Sequence, residues 1–311
     1  MTTSPPIHVV SIGAIHHDTL AHATIPIHPE TSTPAKLNSR PGGVATNIAR
    51  ALTRLNVPTH LIGTVGTDAA ADALREQLLQ EGVKLSLVPR KGFATGQYIA
   101  LHDPDGGLTA ACVDDRVLSE APTNLFDDVL KNLLAGLPQD GILFLDANLP
   151  EAMLLRLTEK ISGTTSGGRL IANAVSDAKA LRLSPVLSLL DCLLLNRGEA
   201  AAITGSSIET PTDDLTMGLA NRGLHRFVLT DGASDVLLYE EGEVFKFAPP
   251  VADIVDVTGA GDALTAGTIA ALARGYSYKE AVPYGLSAAA LILRSTGALS
   301  KDLSWEALQV P

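Results

Sequence analysis

Short, continuous apolar segments alternate with longer amphipathic segments along almost the whole chain. The short ones are rich in Val, Ile and Leu and predict strands at residues 7–13, 60–66, 141–146, 169–175, 192–196 and 226–230. The longer ones predict helices at residues 44–55, 69–81, 260–274 and 279–294. Because these strands are apolar throughout, both of their faces must be covered. The pattern predicts an α/β fold in three layers, with helices on both faces of a mostly parallel sheet.

Two segments interrupt this alternation, at about 20–40 and at 96–114. Residues 97–102 and 108–113 flank the turn sequence Asp-Pro-Asp-Gly-Gly, which predicts a hairpin. We expect the two segments to form a small antiparallel β lid over the carboxyl ends of the parallel strands. The only low-complexity patch is a predicted surface loop at 162–168, and residues 1–311 are expected to form one domain with the lid inserted in it.

The composition excludes several classes of partner. With 23 basic and 34 acidic residues the net charge is -11, which offers no basic surface to a nucleic-acid polymer. Cys112 and Cys192 are too few for a disulfide framework and lack metal-ligand spacing. No signal segment or membrane-length apolar run is present in the sequence. We therefore expect a cytoplasmic enzyme or small-molecule binder that does not contact a membrane.

A glycine-rich turn precedes the apolar helix predicted at 260–274. Gly259, Ala260 and Gly261 let several backbone N–H groups converge on one anion, and the helix dipole adds to the attraction. Asp262 lies in the first helical turn, where a capping carboxylate is the simplest interpretation. A purely structural acid would repel a bound anion, however. A general base that accepts a hydroxyl proton beside a transferring phosphoryl group explains both features.

The segment Thr-Gly-Ala-Gly-Asp at 258–262 resembles the C-terminal signature of the ribokinase-like (PfkB) carbohydrate and nucleoside kinases. Residues 41–55, which begin Pro-Gly-Gly-Val-Ala-Thr-Asn, resemble the N-terminal signature of the same family. The two motifs stand in the family's order and the resemblance covers essentially the whole chain. It implies a ribokinase-like fold and an ATP- and Mg²⁺-dependent kinase, in which Asp262 is the base and Gly259, Ala260 and Gly261 form the anion hole.

The resemblance also implies a nucleotide site. Asn196 and Glu199 match the family's Asn-x-x-Glu element, which organises the water shell of Mg²⁺; a helix-capping pair is the alternative interpretation. Thr230 and Gly232 match the start of the nucleotide-binding loop, although an ordinary turn would have the same residues.

A monovalent-cation site is common in this family, close to the anion hole. Asp256 and Thr258 occupy the matching positions, and backbone carbonyls of residues 295–297 could complete the site. The resemblance therefore implies K⁺ as an additional cofactor.

On the acceptor side, Asp18 corresponds to the family's aspartate that binds substrate hydroxyls. Gly42, Gly43 and Asn47 are implied to line the same pocket. A carboxylate and an amide are suited to hold neighbouring hydroxyl groups of a sugar.

Within the family, the chain is most similar to the pseudouridine kinase branch. The Val-Ser-x-x-Lys element at 175–179 carries this similarity, whereas Thr46 replaces the arginine usual in that branch. The resemblance implies phosphorylation of the 5′-hydroxyl of pseudouridine, with Thr95 and Tyr98 of the lid approaching the nucleobase. For Tyr98, packing within the lid is an equally good interpretation.

Other functions remain as alternatives at this point. A related kinase for ribose, another nucleoside or a ketose would have the same fold and mechanism. A non-catalytic sugar or nucleotide sensor is disfavoured by the intact Asp262. A dinucleotide-binding oxidoreductase does not fit, because the glycine-rich helix start lies near the wrong end of the chain.

Because the exposed edges of the lid need to be covered, we also expect a homodimer formed through it.

Overall fold

The computed structural model describes residues 9–162, 168–308 and 310. Residues 7 and 8 of the first predicted strand, and residues 163–167 of the predicted surface loop, lie outside the described residues. The strands are β1 Val9–Ile12, β2 His16–Ala23, β3 Ala35–Gly42, β4 Thr59–Val65, β5 Lys84–Pro89, β6 Gly96–His102, β7 Leu108–Asp114, β8 Ile142–Asp146, β9 Arg169–Asn173, β10 Cys192–Asn196, β11 Arg226–Thr230, β12 Val236–Glu240 and β13 Glu243–Phe247. The α-helices are α1 Val44–Arg54, α2 Ala69–Gln80, α3 Arg116–Ser119, α4 Asp127–Leu134, α5 Glu151–Ser162, α6 Asp177–Ala180, α7 Arg197–Thr204, α8 Thr212–Ala220, α9 Ala260–Leu272 and α10 Tyr278–Leu293, with a 3-10 segment at Leu181–Leu189.

The main sheet has nine strands in the order β13-β12-β11-β10-β9-β8-β1-β4-β5. All neighbours from β11 to β5 pair in parallel, and only β12 and β13 at one edge are antiparallel. The carboxyl ends of the seven parallel strands therefore open toward the same edge of the sheet, where ligands bind in folds of this kind. The predicted mostly parallel sheet is confirmed.

The continuous apolar strands are explained by two hydrophobic cores, one on each face of the sheet. In β8, Ile142 and Phe144 enter the core that contains α1, α2, α9 and α10, whereas Leu143 and Leu145 enter the core that contains α4, α5, α7 and α8. Every position of such a strand is buried, so no polar alternation remains in its sequence. The predicted three layers are confirmed. In the described part of the chain no helix is long and apolar enough to span a membrane.

Helix α9 is held deep in the first core by close contact with α10. A Cβ atom on Gly267 would lie 2.8 Å from Cα of Gly285, and a Cβ on Gly285 would lie 2.5 Å from the carbonyl oxygen of Leu264. The two helix backbones can approach this closely only because both residues lack a side chain. The position of the glycine-rich turn at the start of α9 is therefore set by rigid helix packing.

The predicted lid is a four-stranded sheet in the order β3-β2-β6-β7. The outer pairs are antiparallel, and the hairpin predicted at 97–113 is β6 and β7. The central pair, β2 with β6, is parallel, which the sequence did not reveal. The lid also begins at His16, earlier than predicted. Asp18 therefore lies within a lid strand, and residues 24–34 form the loop between β2 and β3.

A buried carboxylate joins the carboxyl end of β1 to the start of α1. Asp146 Oδ2 accepts hydrogen bonds from the backbone N–H of Ala14 at 3.1 Å and of Ala45 at 2.9 Å, and its Oδ1 accepts one from Asn148 N–H at 3.0 Å. Gly13 makes this contact possible, because a Cβ there would lie 2.3 Å from the carboxyl carbon of Asp146. The junction between β1, β8 and α1 depends on this close approach.

We predict that Gly13→Ala destabilises the protein. The added methyl group overlaps the Asp146 carboxylate, so the free energy of unfolding should fall by about 1–3 kcal/mol. Gly136→Ala is the matched control, because the nearest atom to its Cβ would be a carbonyl oxygen at 3.8 Å. Urea unfolding of both variants tests this expectation. Equal stability of Gly13→Ala and Gly136→Ala would contradict it.

Candidate active site

The N-terminal ends of α1 and α9 meet at the carboxyl edge of the main sheet. Asn47, in the first turn of α1, donates a hydrogen bond from Nδ2 to Oδ2 of Asp262 at 2.8 Å. Asp262 lies in the first turn of α9, 215 residues further along the chain. This bond brings the predicted acceptor pocket and the predicted base into direct contact.

The surroundings of Asp262 favour its protonated form more than water does. Burial raises its pKa to about 7, while the hydrogen bond from Asn47 acts in the opposite direction. The negative charges of Asp146, Asp18 and Glu199 raise the pKa further. A carboxyl group with a pKa near neutrality can accept a proton from a hydroxyl group during a reaction and release it afterwards.

The turn before α9 has the geometry of an open helix N-terminus. Gly259 has a φ of 80° and caps α9 without any side-chain hydrogen bond. A Cβ on Gly259 would lie 2.5 Å from Cα of Ala298, whereas a Cβ on Gly261 would have no atom within 4 Å. Ala260 N–H donates a hydrogen bond to the carbonyl oxygen of Val257, with an N–O distance of 3.3 Å. The remaining first-turn N–H groups have no partner within the helix, as an anion hole requires.

Asn196 and Glu199 form a capping box at the start of α7. Asn196 Oδ1 accepts from Glu199 N–H at 2.9 Å, and Glu199 Oε2 accepts from Asn196 N–H at 2.8 Å. Both residues also line a cavity of about 400 Å³ together with Gly259, Gly261 and Asp262. The capping interpretation and the site interpretation are therefore compatible. Burial raises the pKa of Glu199 to about 7.

The residues present fit a magnesium ion held mainly by phosphate and water. In the described ranges no group of three or more His, Cys, Asp or Glu side chains could hold a metal ion directly. Asn196 and Glu199 each have oxygen atoms at the cavity wall, which is the ligand type that Mg²⁺ prefers, and Mg²⁺ commonly keeps several of its waters. Glu199 is the residue that would orient these waters.

A second cavity, of about 580 Å³, shares Thr230, Gly261 and Leu264 with the first. Its walls are mostly apolar and include Gly232 at the predicted nucleotide loop. Sequence reasoning missed its other wall, the segment at 248–257. The sequence contained a signal, because this segment is rich in Pro and Val without strand or helix periodicity. In the structure its Val251 is 92% exposed.

Asp18 and Asn47, which were predicted to bind the acceptor, each have a buried oxygen atom without a hydrogen-bond partner among the described residues. These atoms are Asp18 Oδ1 and Asn47 Oδ1. Gly42 lies against the Asp18 carboxylate, and Gly43 has a φ of 92° and packs on the Ala14 carbonyl. Burial raises the pKa of Asp18 to about 6. Two buried acceptors without a protein donor can be satisfied by hydroxyl groups of a ligand or by water.

Thr95 and Tyr98, the two residues predicted to contact the nucleobase, differ in their surroundings. Thr95 is fully buried, and its hydroxyl donates to Asp68 Oδ1 at 2.5 Å and accepts from Gly66 N–H at 3.0 Å. This hydroxyl therefore already links the residue before β6 to Asp68, the N-cap of α2. Tyr98 lies opposite Asp18 in the lid and is half-buried, and burial raises its pKa, with the charge of Asp18 adding to this effect.

Some residues at the site were not predicted from sequence. Asn173 lines the first cavity and donates from Nδ2 to Thr265 Oγ1 at 3.2 Å. Asp146 was likewise not recognised, because a lone Asp at a strand end has many possible roles. Asp256, in contrast, was predicted to hold a monovalent cation; it accepts from Thr258 N–H and Gly297 N–H, both at 2.8 Å, and so joins the two loops beside the anion hole.

The profile of the pfkB family carbohydrate kinases matches residues 7–305, and the chain belongs to this family. Among individual proteins, it is 27% identical to a pseudouridine kinase of Escherichia coli (strain K12), over 96% of this chain and 94% of the other. A solved carbohydrate kinase from Agrobacterium tumefaciens is similar, with 31% identity, a TM-score of 0.85 and coverage of 97% of this chain and 95% of the other. The ribokinase of Arabidopsis thaliana, solved with ribose and ATP, has a similar fold, with 22% identity, a TM-score of 0.79 and coverage of 98% and 96%.

The two glycines of the turn should respond differently to alanine. Gly261→Ala places a methyl group in the open cavity, so we predict that kcat/KM for ATP falls at least about tenfold while the melting temperature stays unchanged. Gly259→Ala should instead lower the melting temperature, because its φ of 80° and the contact with Ala298 both exclude a side chain.

Steady-state kinetics and thermal unfolding of the two variants distinguish these effects. A Gly261→Ala enzyme with normal kinetics would show that no phosphate approaches this residue.

Proposed function

We propose that this kinase transfers the γ-phosphoryl group of ATP to the 5′-hydroxyl of pseudouridine. Membership in the family makes the chain a carbohydrate or nucleoside kinase. The observation that supports the mechanism most strongly is the hydrogen bond from Asn47 to Asp262, which joins the acceptor pocket to the base. The acceptor is the finer part of the proposal, and it rests on the similarity to the E. coli pseudouridine kinase and on the pocket described above.

In the proposed reaction, the 5′-oxygen attacks the γ-phosphorus. The bond from this phosphorus to the oxygen bridging it to the β-phosphate breaks, and ADP leaves. The hydroxyl proton passes to the Asp262 carboxylate, which returns it to solvent after the product departs. Asn47 keeps that carboxylate pointed at the acceptor, since its amide donates to one of the two oxygens.

The open N-terminus of α9 supports stabilisation of the transferring group. Gly259 and Gly261 line the first cavity, and the backbone N–H groups at a helix N-terminus carry partial positive charge. Magnesium, when bound, would neutralise charge on the phosphates, and Asn196 and Glu199 would orient its water shell. The apolar second cavity, with Thr230 and Gly232 at its mouth, has the character and position to take the adenine end of ATP.

Two buried acceptors close to Asp262 support a polyol as the acceptor: Asn47 bonds to Asp262, and the charge of Asp18 acts on it. Asp18 Oδ1 and Asn47 Oδ1 are buried acceptors, and a ribose can donate hydroxyl hydrogens to both of them. Tyr98 stands next to Asp18 across the lid strands and can contact a ring attached to the ribose. The uracil ring of pseudouridine is linked through carbon and has two N–H donors and two carbonyl acceptors, so neutral groups suffice to recognise it.

Ribose itself is the second candidate. The similarity of the fold to the Arabidopsis ribokinase supports it, since that structure contains ribose and ATP. Ribose would engage the same two acceptors without using Tyr98.

A homodimer formed through the lid and a cytoplasmic location complete the proposal. The dimer is supported by exposed apolar side chains on the lid strands, among them Leu37, Leu108 and Val113. The edges of the small sheet would be covered by a second copy.

We predict that pseudouridine is the preferred acceptor. In an assay with ATP and Mg²⁺, kcat/KM for pseudouridine should exceed that for uridine, adenosine, ribose and fructose by at least about tenfold. The Asp262→Asn protein, purified in the same way, measures the background from contaminating kinases. A higher kcat/KM for any other acceptor would overturn the pseudouridine assignment while leaving the kinase mechanism intact.

We also predict that Asp262→Asn removes the base without disturbing the fold. The amide cannot accept the hydroxyl proton, so kcat should fall by about 10²–10⁴-fold, whereas the Kd for ATP should change little. Asp72→Asn is the control, since Asp72 is also an acid in the first turn of a helix but is exposed on α2. Turnover by Asp262→Asn close to that of the Asp72→Asn control would remove Asp262 from the mechanism.

A further inference from the structure

A positively charged side chain of the lid reaches the loops beside the anion hole. Arg40 on β3 pairs in register with Asp18 on β2, and its Nη1 lies against Gly297 so closely that a Cβ there would overlap it. Gly297 has a φ of 91°, a conformation that favours glycine. The chain thus leaves room at Gly297 for this guanidinium.

Gly297 connects Arg40 to the glycine-rich turn. Its N–H donates to Asp256 Oδ2 at 2.8 Å, and Asp256 Oδ1 accepts from Thr258 N–H at 2.8 Å. Thr258 directly precedes Gly259. Arg40 therefore packs against the same pair of loops that Asp256 holds together.

The Arg40 charge is not neutralised by a direct ion pair. Among the described residues, no carboxylate lies within 4.0 Å of its guanidinium nitrogens, whereas nearby Arg50 pairs with Glu81 at 2.5 Å. Burial lowers the pKa of Arg40, and the charges of Asp18 and Asp256 raise it. A guanidinium remains charged at any physiological pH, so a permanent cation is present between these two acids.

The residues implied to hold K⁺ fit such an ion poorly. Both oxygens of Asp256 already accept backbone N–H groups. A metal ion at Asp256 would also face the like charge of Arg40, which opposes its binding.

We propose that the Arg40 guanidinium is the resident cation of this site, that it holds the loops around Asp256 in place of a monovalent metal ion, and that the kinase therefore needs no added potassium. The proposal rests on the proposed kinase function. It makes Arg40 a positioning residue, which acts on the anion hole through Gly297 and Asp256, and it replaces the K⁺ expected from the sequence.

The test compares the natural protein with Arg40→Gln, Arg40→Lys and the control Lys36→Gln, which removes a charge from an exposed position on the same strand. Acceptor kinetics are measured in KCl and in tetramethylammonium chloride at equal ionic strength. The natural protein and Lys36→Gln should have the same kcat/KM in both salts. Arg40→Gln should lose about tenfold or more in tetramethylammonium chloride and recover in KCl, and Arg40→Lys should retain most activity in both.

Thermal unfolding in the two salts gives a reading that does not depend on catalysis. KCl should raise the melting temperature of Arg40→Gln relative to tetramethylammonium chloride, and it should not do so for the natural protein. Activation or stabilisation of the natural protein by K⁺ would overturn the proposal. Loss of activity in Arg40→Gln without recovery in KCl would also overturn it, because Arg40 would then act on acceptor binding alone. Absence of turnover with every acceptor would instead refute the kinase function, and the melting temperatures would still test the cation.

Discussion

The buried carboxylate of Asp146 organises the end of the sheet where the site lies. It accepts backbone N–H groups from Ala14 after β1, Ala45 in α1 and Asn148 after β8. Helix α1 has no side-chain cap of its own at Gly43, so a residue about a hundred positions away satisfies its second N–H group. Asn47 lies in that same turn, and the orientation of α1 determines where its amide meets Asp262.

The N-termini of α1 and α9 are used in opposite ways. That of α1 is occupied by Asp146, whereas that of α9 has Gly259 as its N-cap, receives no side-chain hydrogen bond from it and lies at the wall of a cavity. Burial raises the pKa of Asp18, Glu199 and Asp262; Glu199 and Asp262 line one cavity, and the charge of Asp18 acts on Asp262. A triphosphate can enter such an acidic cleft only where backbone N–H groups and cations compensate for the charge. The net charge of -11 is therefore compatible with a phosphate donor, because recognition by backbone N–H groups would need no basic side chain.

Much of the fold could be predicted from sequence, because strands buried on both faces leave continuous apolar segments and glycine-rich turns leave short motifs. The lid was predicted less well. Its strand β2 reads His-His-Asp-Thr-Leu-Ala-His-Ala, which has no clear alternation, and its parallel pairing with β6 depends on residues about 80 positions apart. Asp146 and Arg40 gave no local signal, because their roles arise only where distant loops meet. The predicted anion-hole, acceptor and nucleotide residues are brought to one edge of the sheet, and their functions remain predictions.

The pH dependence of kcat/KM for the acceptor tests the role of Asp262 most directly. The base must be ionised to accept a proton, and its surroundings place its pKa at about 7. The rate constant is therefore predicted to rise by about tenfold per pH unit below neutrality and to level off above it. A profile that is flat from about pH 5.5 to about pH 8.5 would contradict a base with this pKa.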